Sequence, residues 1–71
     1  MDALTPTQRQ VFDFVKMYAK KHGMPPTRAE ICKGFGWKSV NAAQQHLRLI
    51  ASKGYLRLLD GGRSRGITLL K

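Results

Sequence analysis

The fold of this chain is decided by residues 27–53, which read TRAEICKGFGWKSVNAAQQHLRLIASK. Thr27 predicts a helix start, because its hydroxyl can cap the helix while Glu30, three residues later, bonds back to the capping residue. This short helix should end at Gly34 and Gly36, since glycine readily adopts the left-handed conformation that closes helices. A tight turn and a second amphipathic segment follow, so the stretch predicts two helices joined by a turn.

The second segment of the pair has two chemically distinct faces. We expect Ser39 or Asn41 to cap it and the helix to cover about residues 40–53, ending before Gly54. Apolar side chains recur along one face at intervals of three and four, which is typical of a buried helix face. They are Val40, Ala43, Leu47 and Ile50. The other face carries amides, a hydroxyl and one guanidinium but no carboxylate, from Asn41, Gln44, Gln45, Arg48 and Ser52.

A longer helix precedes this pair. Thr5, Pro6 and Gln8 form a capping signal at its start, and Gly23 supplies the left-handed residue that ends it after about 17 residues. Its predicted buried stripe follows helical spacing. The stripe consists of Val11, Phe12, Val15, Tyr18 and Ala19. The two prolines after Met24 cannot continue a helix, so they separate this helix from the pair.

Two short apolar runs follow the helices, at residues 55–59 and 67–70. The glycine-rich turn between them predicts an antiparallel hairpin. A two-stranded hairpin is marginal alone, so it must pack on the helices. The element order predicts an α+β, mainly α fold: a three-helix winged helix-turn-helix with a C-terminal two-stranded β-hairpin wing. We expect the wing over about residues 55–70 and a single domain over residues 1–71.

Charge points to the kind of partner that this fold would bind. The 71 residues carry thirteen Lys and Arg against four Asp and Glu, a formal net charge of +9. Residues 1–30 contribute +2 and residues 31–71 contribute +7. Excess positive charge raises the local concentration of polyanions, so nucleic acid is the leading partner. A basic surface that is merely solvated is the alternative that composition leaves open.

Other function classes find little support in the sequence. Cys32 is the single cysteine; it cannot form an intrachain disulfide, and with His22 or His46 it lacks the paired ligand spacing of a zinc site. Four scattered acids offer no acid–base pair for catalysis. No apolar run approaches the roughly 20 residues that a membrane span needs. We therefore predict a cytoplasmic, non-enzymatic domain without metal, cofactor, membrane contact or small-molecule substrate.

The predicted helix–turn–helix assigns a role to the polar face. In such a pair the second helix enters the major groove of DNA with its N-terminal residues near the base edges. The amides of Asn41, Gln44 and Gln45 can bond to adenine N6 and N7. Ala42 is small enough to let the helix approach, and its methyl group could contact a thymine methyl. A solvated polar face without a ligand is the alternative interpretation.

Basic side chains around the two helices are candidates for phosphate contacts. We expect DNA backbone or wing contacts from Arg28, Lys38, Arg48, Lys53, Arg63, Ser64 and Arg65. The arginines at the glycine-rich hairpin tip could reach the minor groove or its phosphates. Arginines at such a tip also serve solubility alone, and that interpretation stays open.

The chain resembles a known protein family over nearly its whole length. The matching segments are ALT at 3–5, VFD at 11–13, GMPPTRAEI at 23–31, Ser39, NAA at 41–43, HL at 46–47, KG at 53–54 and SRGI at 64–67. Of these, GMPPTRAEI is highly specific. In these residues the chain is similar to the N-terminal DNA-binding domain of LexA, the SOS-response repressor, which has the same winged helix-turn-helix fold. The resemblance implies a bacterial or phage-encoded, nucleoid-associated protein.

The resemblance implies base-reading residues and a double-stranded operator, read as one half-site per monomer with a second copy possible on an inverted repeat. The implied base contacts are Ser39, Asn41, Ala42, Gln44 and Gln45. The family has a pair of glutamates where this chain has Gln44 and Gln45. Glutamate only accepts hydrogen bonds whereas glutamine also donates, so the operator can differ from the family's CTGT-type inverted repeat.

The family continues into a Ser/Lys self-cleavage domain that supplies most of the dimerisation, and this sequence ends at Lys71 before it. We expect no self-cleavage from these residues. They form either an excised repressor domain or a free-standing LexA-like regulator. The rival function is a protein-interaction winged helix that modulates a repressor or polymerase, with Phe14 and Leu49 on its surface patch. Binding to RNA or to an anionic surface is a third possibility.

Overall fold

The computed structural model describes residues 3–58 and 66–70. Within these ranges the chain forms three helices and two strands. They are α1 (Pro6–His22), α2 (Arg28–Phe35), α3 (Val40–Ser52), β1 (Leu56–Leu58) and β2 (Ile67–Leu69). The order is the predicted one, so the mainly helical α+β class and the winged helix-turn-helix fold are confirmed. The hairpin tip, with Arg63, Ser64 and Arg65, lies outside the described residues.

The first two helices begin at the capping boxes that the sequence predicts. Before α1, the Thr5 hydroxyl accepts from the Gln8 N–H at 3.2 Å, and the Gln8 side-chain oxygen accepts from the Thr5 N–H at 3.1 Å. Before α2, the Thr27 hydroxyl accepts from the Glu30 N–H at 3.0 Å, and the Glu30 carboxylate accepts from the Thr27 N–H at 2.7 Å. These bonds satisfy N–H groups that have no partner inside the helix.

The end of α2 differs in one respect from the prediction. The helix continues through Gly34 to Phe35, and Gly36, with φ of 73°, is the left-handed residue that caps it. Gly34 serves a different purpose, because a Cβ at this position would lie 2.6 Å from Cε2 of the Phe14 ring. The missing side chain therefore lets α1 and α2 approach closely.

The two strands form the base of the predicted wing. They pair antiparallel, with Leu56 opposite Leu69 and Leu58 opposite Ile67. A hydrogen bond from the Leu70 N–H to the Tyr55 carbonyl, 3.0 Å long, extends the pairing by one step. Leu56 and Ile67 are buried, so the hairpin rests on the helices as a two-stranded ribbon requires.

The core is built mainly from the predicted apolar stripes. Its buried apolar members are Val11, Phe12, Val15, Ile31, Cys32, Ala43, Leu47, Ile50, Leu56 and Ile67. Val40 was expected among them but is 52% exposed. It is the first residue of α3 and lies at the end of the helix, away from the part that covers the core. Tyr18 and Ala19 are half-buried.

The third helix occupies the centre of the fold. It packs against α1, α2 and β1, so three elements fix its direction and leave one face outside. Gly54, with φ of 87°, turns the chain after α3 toward the hairpin, as expected. In residues 3–58 and 66–70, no helix is long and apolar enough to cross a membrane.

Candidate nucleic-acid interface

A row of polar side chains covers the outward face of α3. Asn41, Gln45 and Arg48 are exposed and follow one another at intervals of four and three residues, which places them on one helix face. This face lies opposite the buried Leu47 and Ile50. An exposed row of two amides and a guanidinium can donate to and accept from a polar ligand while remaining positively charged.

The N-terminus of α3 is held by Ser39. Its hydroxyl oxygen accepts from the Asn41 N–H at 3.2 Å, and its carbonyl accepts from the Ala42 N–H at 3.1 Å. The buried Cys32 thiol donates to the same carbonyl at 3.2 Å. The exposed hydroxyl keeps its own proton for donation, so Ser39 can both cap the helix and contact a ligand.

Gln44 lies on the flank of α3 that faces α2, beside the outward row. Its side chain is half-buried, and its amide oxygen accepts a hydrogen bond from Nε of Arg28. Arg28 is itself half-buried at the start of α2. The structure thus brings together one predicted base-reading residue and one predicted phosphate contact, which are sixteen positions apart.

An aromatic column supports the turn before α3. The Trp37 ring stacks on Phe35 with a centroid distance of 4.8 Å and on His46 with a distance of 4.9 Å. Phe35 in turn lies 5.3 Å from Phe14 of α1. The stacking of His46 on Trp37 was not predicted from the sequence, because helix spacing says nothing about a partner outside the helix. The column orients α3, and half-buried Ala42 lies on this helix one turn before His46.

The predicted phosphate contacts occupy different environments. Lys38 is exposed in the turn, and Arg48 is exposed on α3. Lys53 is half-buried, and its ammonium donates to the Ala3 carbonyl at 2.9 Å and to Oε1 of Gln8 at 2.7 Å. Lys53 therefore joins the end of α3 to the start of α1, a role that its sequence position did not reveal.

The described part of the chain also bears on the other predicted chemistry. It contains no group of three His, Cys, Asp or Glu side chains that could hold a metal ion. Phe14, which the rival interaction surface needed, is half-buried and packs on Phe35 and on the backbone at Gly34. Leu49 is 49% exposed. Wing residues Arg63, Ser64 and Arg65 lie outside the described ranges.

Comparison with known proteins gives a consistent result. The family model of the LexA DNA binding domain matches residues 1–66. The LexA repressor of Azoarcus sp. (strain BH72) is 50% identical over 68 residues, which are 96% of this chain and 33% of that protein. The LexA repressor of Colwellia psychrerythraea is 52% identical over 68 residues, 96% of this chain and 32% of that protein.

A third relative extends the same pattern. The LexA repressor of Actinobacillus pleuropneumoniae serotype 5b is 52% identical over 67 residues, 94% of this chain and 31% of that protein. The chain thus spans about a third of the length of the curated relatives it matches. The residues matched by the family model contain all three helices and β1.

Proposed function

This chain belongs to the LexA DNA-binding domain family, and on that basis we propose that it binds a specific double-stranded DNA site by placing the N-terminal half of α3 in the major groove. The observation that carries the proposal is the exposed row of Asn41, Gln45 and Arg48. This row lies on a helix that three other elements hold in place. A polar face on a rigid element suits base recognition, since little backbone freedom is lost on binding.

The base-reading residues are the predicted ones, each with its own chemistry. Asn41 and Gln45 present an amide oxygen and an amide N–H₂, the pattern that pairs with adenine N6 and N7. Ala42 offers a methyl group to thymine and leaves room for the helix to approach. Ser39 donates its hydroxyl proton to a phosphate or a base acceptor. Gln44 reads a base from the flank of the helix.

Backbone contacts fix the helix in the groove. Lys38, just before α3, and Arg48, at the C-terminal end of the exposed row, are both exposed, so their charges can meet phosphates. Arg63, Ser64 and Arg65 extend the contact through the wing. We assign Lys53 to the fold because its ammonium is bonded to Ala3 and Gln8. Phosphate contacts set the register of the protein on DNA, while base contacts give the specificity.

The biological role follows from the proposed binding mode. One domain covers one half-site, and two copies on an inverted repeat cover a full operator. Occupying an operator would block transcription, and the relatives compared above carry the name repressor. We therefore propose a transcriptional repressor domain of the SOS type, acting in the bacterial cytoplasm through binding and not through catalysis.

Fluorescence anisotropy on labelled duplexes tests this function. A CTGT-type inverted repeat, a scrambled duplex and duplexes selected from a random pool are titrated at two salt concentrations. We expect one sequence to bind at least tenfold more tightly than the scrambled duplex, within the range of protein–DNA specificity. Equal binding to every duplex would reject base reading, and absence of binding would favour the protein-interaction alternative.

Replacement of Asn41 tests the reading face. Asn41→Ala should weaken binding to the selected site by about 1–3 kcal/mol and binding to scrambled DNA much less. Gln10→Ala is the matched control, because Gln10 is an exposed amide on α1, a helix to which we assign no DNA contact. Equal losses on both duplexes would show that Asn41 only positions the domain.

A further inference from the structure

The contact between Arg28 and Gln44 shows whether the oxygen or the nitrogen of the Gln44 amide faces Arg28. Nε of Arg28 donates to Oε1 of Gln44. A guanidinium has donors only, so the group that faces it must be the amide oxygen and not the amide nitrogen. Both side chains are half-buried, and the hydrogen bond between them holds the amide in this orientation.

The hydrogen bond from Arg28 changes which DNA base the Gln44 amide is suited to bind. A free glutamine bonds adenine in a bidentate manner, accepting from N6 with its oxygen and donating to N7 with its N–H₂ group. Arg28 takes one of the two lone pairs of the Gln44 oxygen. The same hydrogen bond turns the oxygen towards α2, so the N–H₂ group is the end of the amide that we assign to the DNA. The side chain then acts as a donor with two protons.

We propose that Arg28 is a specificity-positioning residue that makes Gln44 a dedicated donor, so that Gln44 selects guanine. This inference rests on the proposed DNA-binding function. Guanine presents two acceptors in the major groove, O6 and N7, whereas adenine presents N7 beside the N6 donor. Cytosine presents only its N4 donor there, so it offers nothing to the amide N–H₂ and is rejected.

The proposal also changes the role of Arg28. Sequence reasoning assigned it to the DNA backbone, yet its Nε–H is directed at α3. Loss of the Arg28 guanidinium should therefore change which base is preferred, in addition to lowering affinity through the lost charge. A residue that served only stability or phosphate binding would lower affinity for all sequences alike.

The test measures base preference one position at a time. Starting from the selected site, each half-site position is replaced by all four base pairs, and dissociation constants are measured by anisotropy. The position read by Gln44 is the one at which Gln44→Ala removes the preference. There the unmodified chain should favour guanine over cytosine by about tenfold or more and over adenine by a smaller factor.

Arg28→Leu is the decisive variant. It removes the donor and frees the Gln44 oxygen, so adenine should become equal or superior to guanine at that position, while affinity falls for every duplex. Arg48→Leu is the matched control, because Arg48 is an exposed arginine on α3. It should weaken binding to all four bases alike and leave their order unchanged.

A spectroscopic measurement covers the case in which Arg28→Leu does not fold. In the unmodified protein the Arg28 Hε proton should exchange slowly with solvent by NMR, and Gln44→Ala should make it exchange faster. Rapid exchange in the unmodified protein would overturn the proposal.

The binding outcomes separate two failures. This inference is overturned, and the proposed function left standing, by a preference for adenine, thymine or cytosine at the Gln44 position or by an unchanged base order in Arg28→Leu. It is also overturned if Gln44→Ala removes the base preference at no position. Failure to discriminate any duplex from scrambled DNA overturns both.

Discussion

The absence of a side chain at Gly34 leaves room for the Phe14 ring where α1 and α2 meet. The Phe14 ring lies where a Gly34 side chain would be, 2.6 Å from the position of its Cβ. Phe35 and Tyr18 stand 5.3 and 6.1 Å from the same ring, so the ring cannot turn aside without moving other aromatic side chains. Steric exclusion and helix propensity therefore oppose each other at this residue.

Replacement of Gly34 shows which of these effects dominates. Alanine gains about 1 kcal/mol over glycine in helix propensity, while overpacking typically costs about 1–3 kcal/mol. We expect Gly34→Ala to lower the free energy of unfolding by about 1 kcal/mol net, measured by urea denaturation.

Truncation of the opposing ring provides the control for Gly34. In a Phe14→Leu background the clash is removed, so Gly34→Ala should raise the free energy of unfolding by up to about 1 kcal/mol. The change of sign between the two backgrounds measures the coupling of the pair. Stabilisation by Gly34→Ala in the unmodified chain would show that the ring yields easily and that the close approach is not required.

Lys53, which the sequence predicted as a DNA backbone contact, joins the ends of two helices. The Lys53 ammonium connects the end of α3 to Ala3 and Gln8 at the start of α1. Lys53→Met should lower the free energy of unfolding by about 1 kcal/mol, because hydrogen bonds from a charged donor are lost from a half-buried site. Urea denaturation measures this loss, and the salt dependence of DNA binding should stay almost unchanged.

The matched control for Lys53 is Lys38, a lysine in the turn before α3. Because its side chain is exposed, Lys38→Met should change stability by less than about 0.5 kcal/mol. It should make the slope of log affinity against log salt less steep by about 0.9, the amount for one phosphate contact. If instead Lys53→Met changed the salt slope and Lys38→Met lowered the stability, Lys53 would contact the DNA and Lys38 would stabilise the fold.

The ends of helices were predictable from sequence where the residues that mark them are close together in the chain. Thr5 and Thr27 with their capping partners marked two helix starts, because a capping box joins residues three positions apart. Gly36 and Val40 mark the limit of such signals. Helical spacing gives the buried face of α3 but not the point along the helix at which the core ends, and a second glycine two residues away made the end of α2 ambiguous.

Contacts between elements could not be predicted from spacing. Sixteen positions separate Arg28 from Gln44, and forty-five separate Lys53 from Gln8. Such pairs depend on the directions of whole helices, which local patterns do not encode. The exposed Asn41, Gln45 and Arg48 were nevertheless identified from sequence, because the burial of one helix face determines which residues lie opposite.

Over the whole molecule, most of the net positive charge belongs to the part of the chain that we propose binds DNA. The segment with α1 and the start of α2, residues 1–30, has a net charge of +2, whereas residues 31–71, with α3 and the hairpin, have +7. A polyanion should therefore be attracted more strongly by the second half of the chain, which contains the reading face. Such long-range attraction raises the association rate and is weakened by salt.

The salt dependence of affinity measures how much of this charge meets phosphates. Four assigned contacts, from Lys38, Arg48, Arg63 and Arg65, predict a slope of about −3.6 for log affinity against log salt per monomer, since each contact contributes about −0.9. Titrations of one half-site duplex across a salt series measure it. Lys20→Met, on exposed α1 surface, should leave the slope unchanged. A slope near zero would show that these side chains make no phosphate contacts. If Lys20→Met changed the slope as much as Lys38→Met does, net charge alone would attract the DNA.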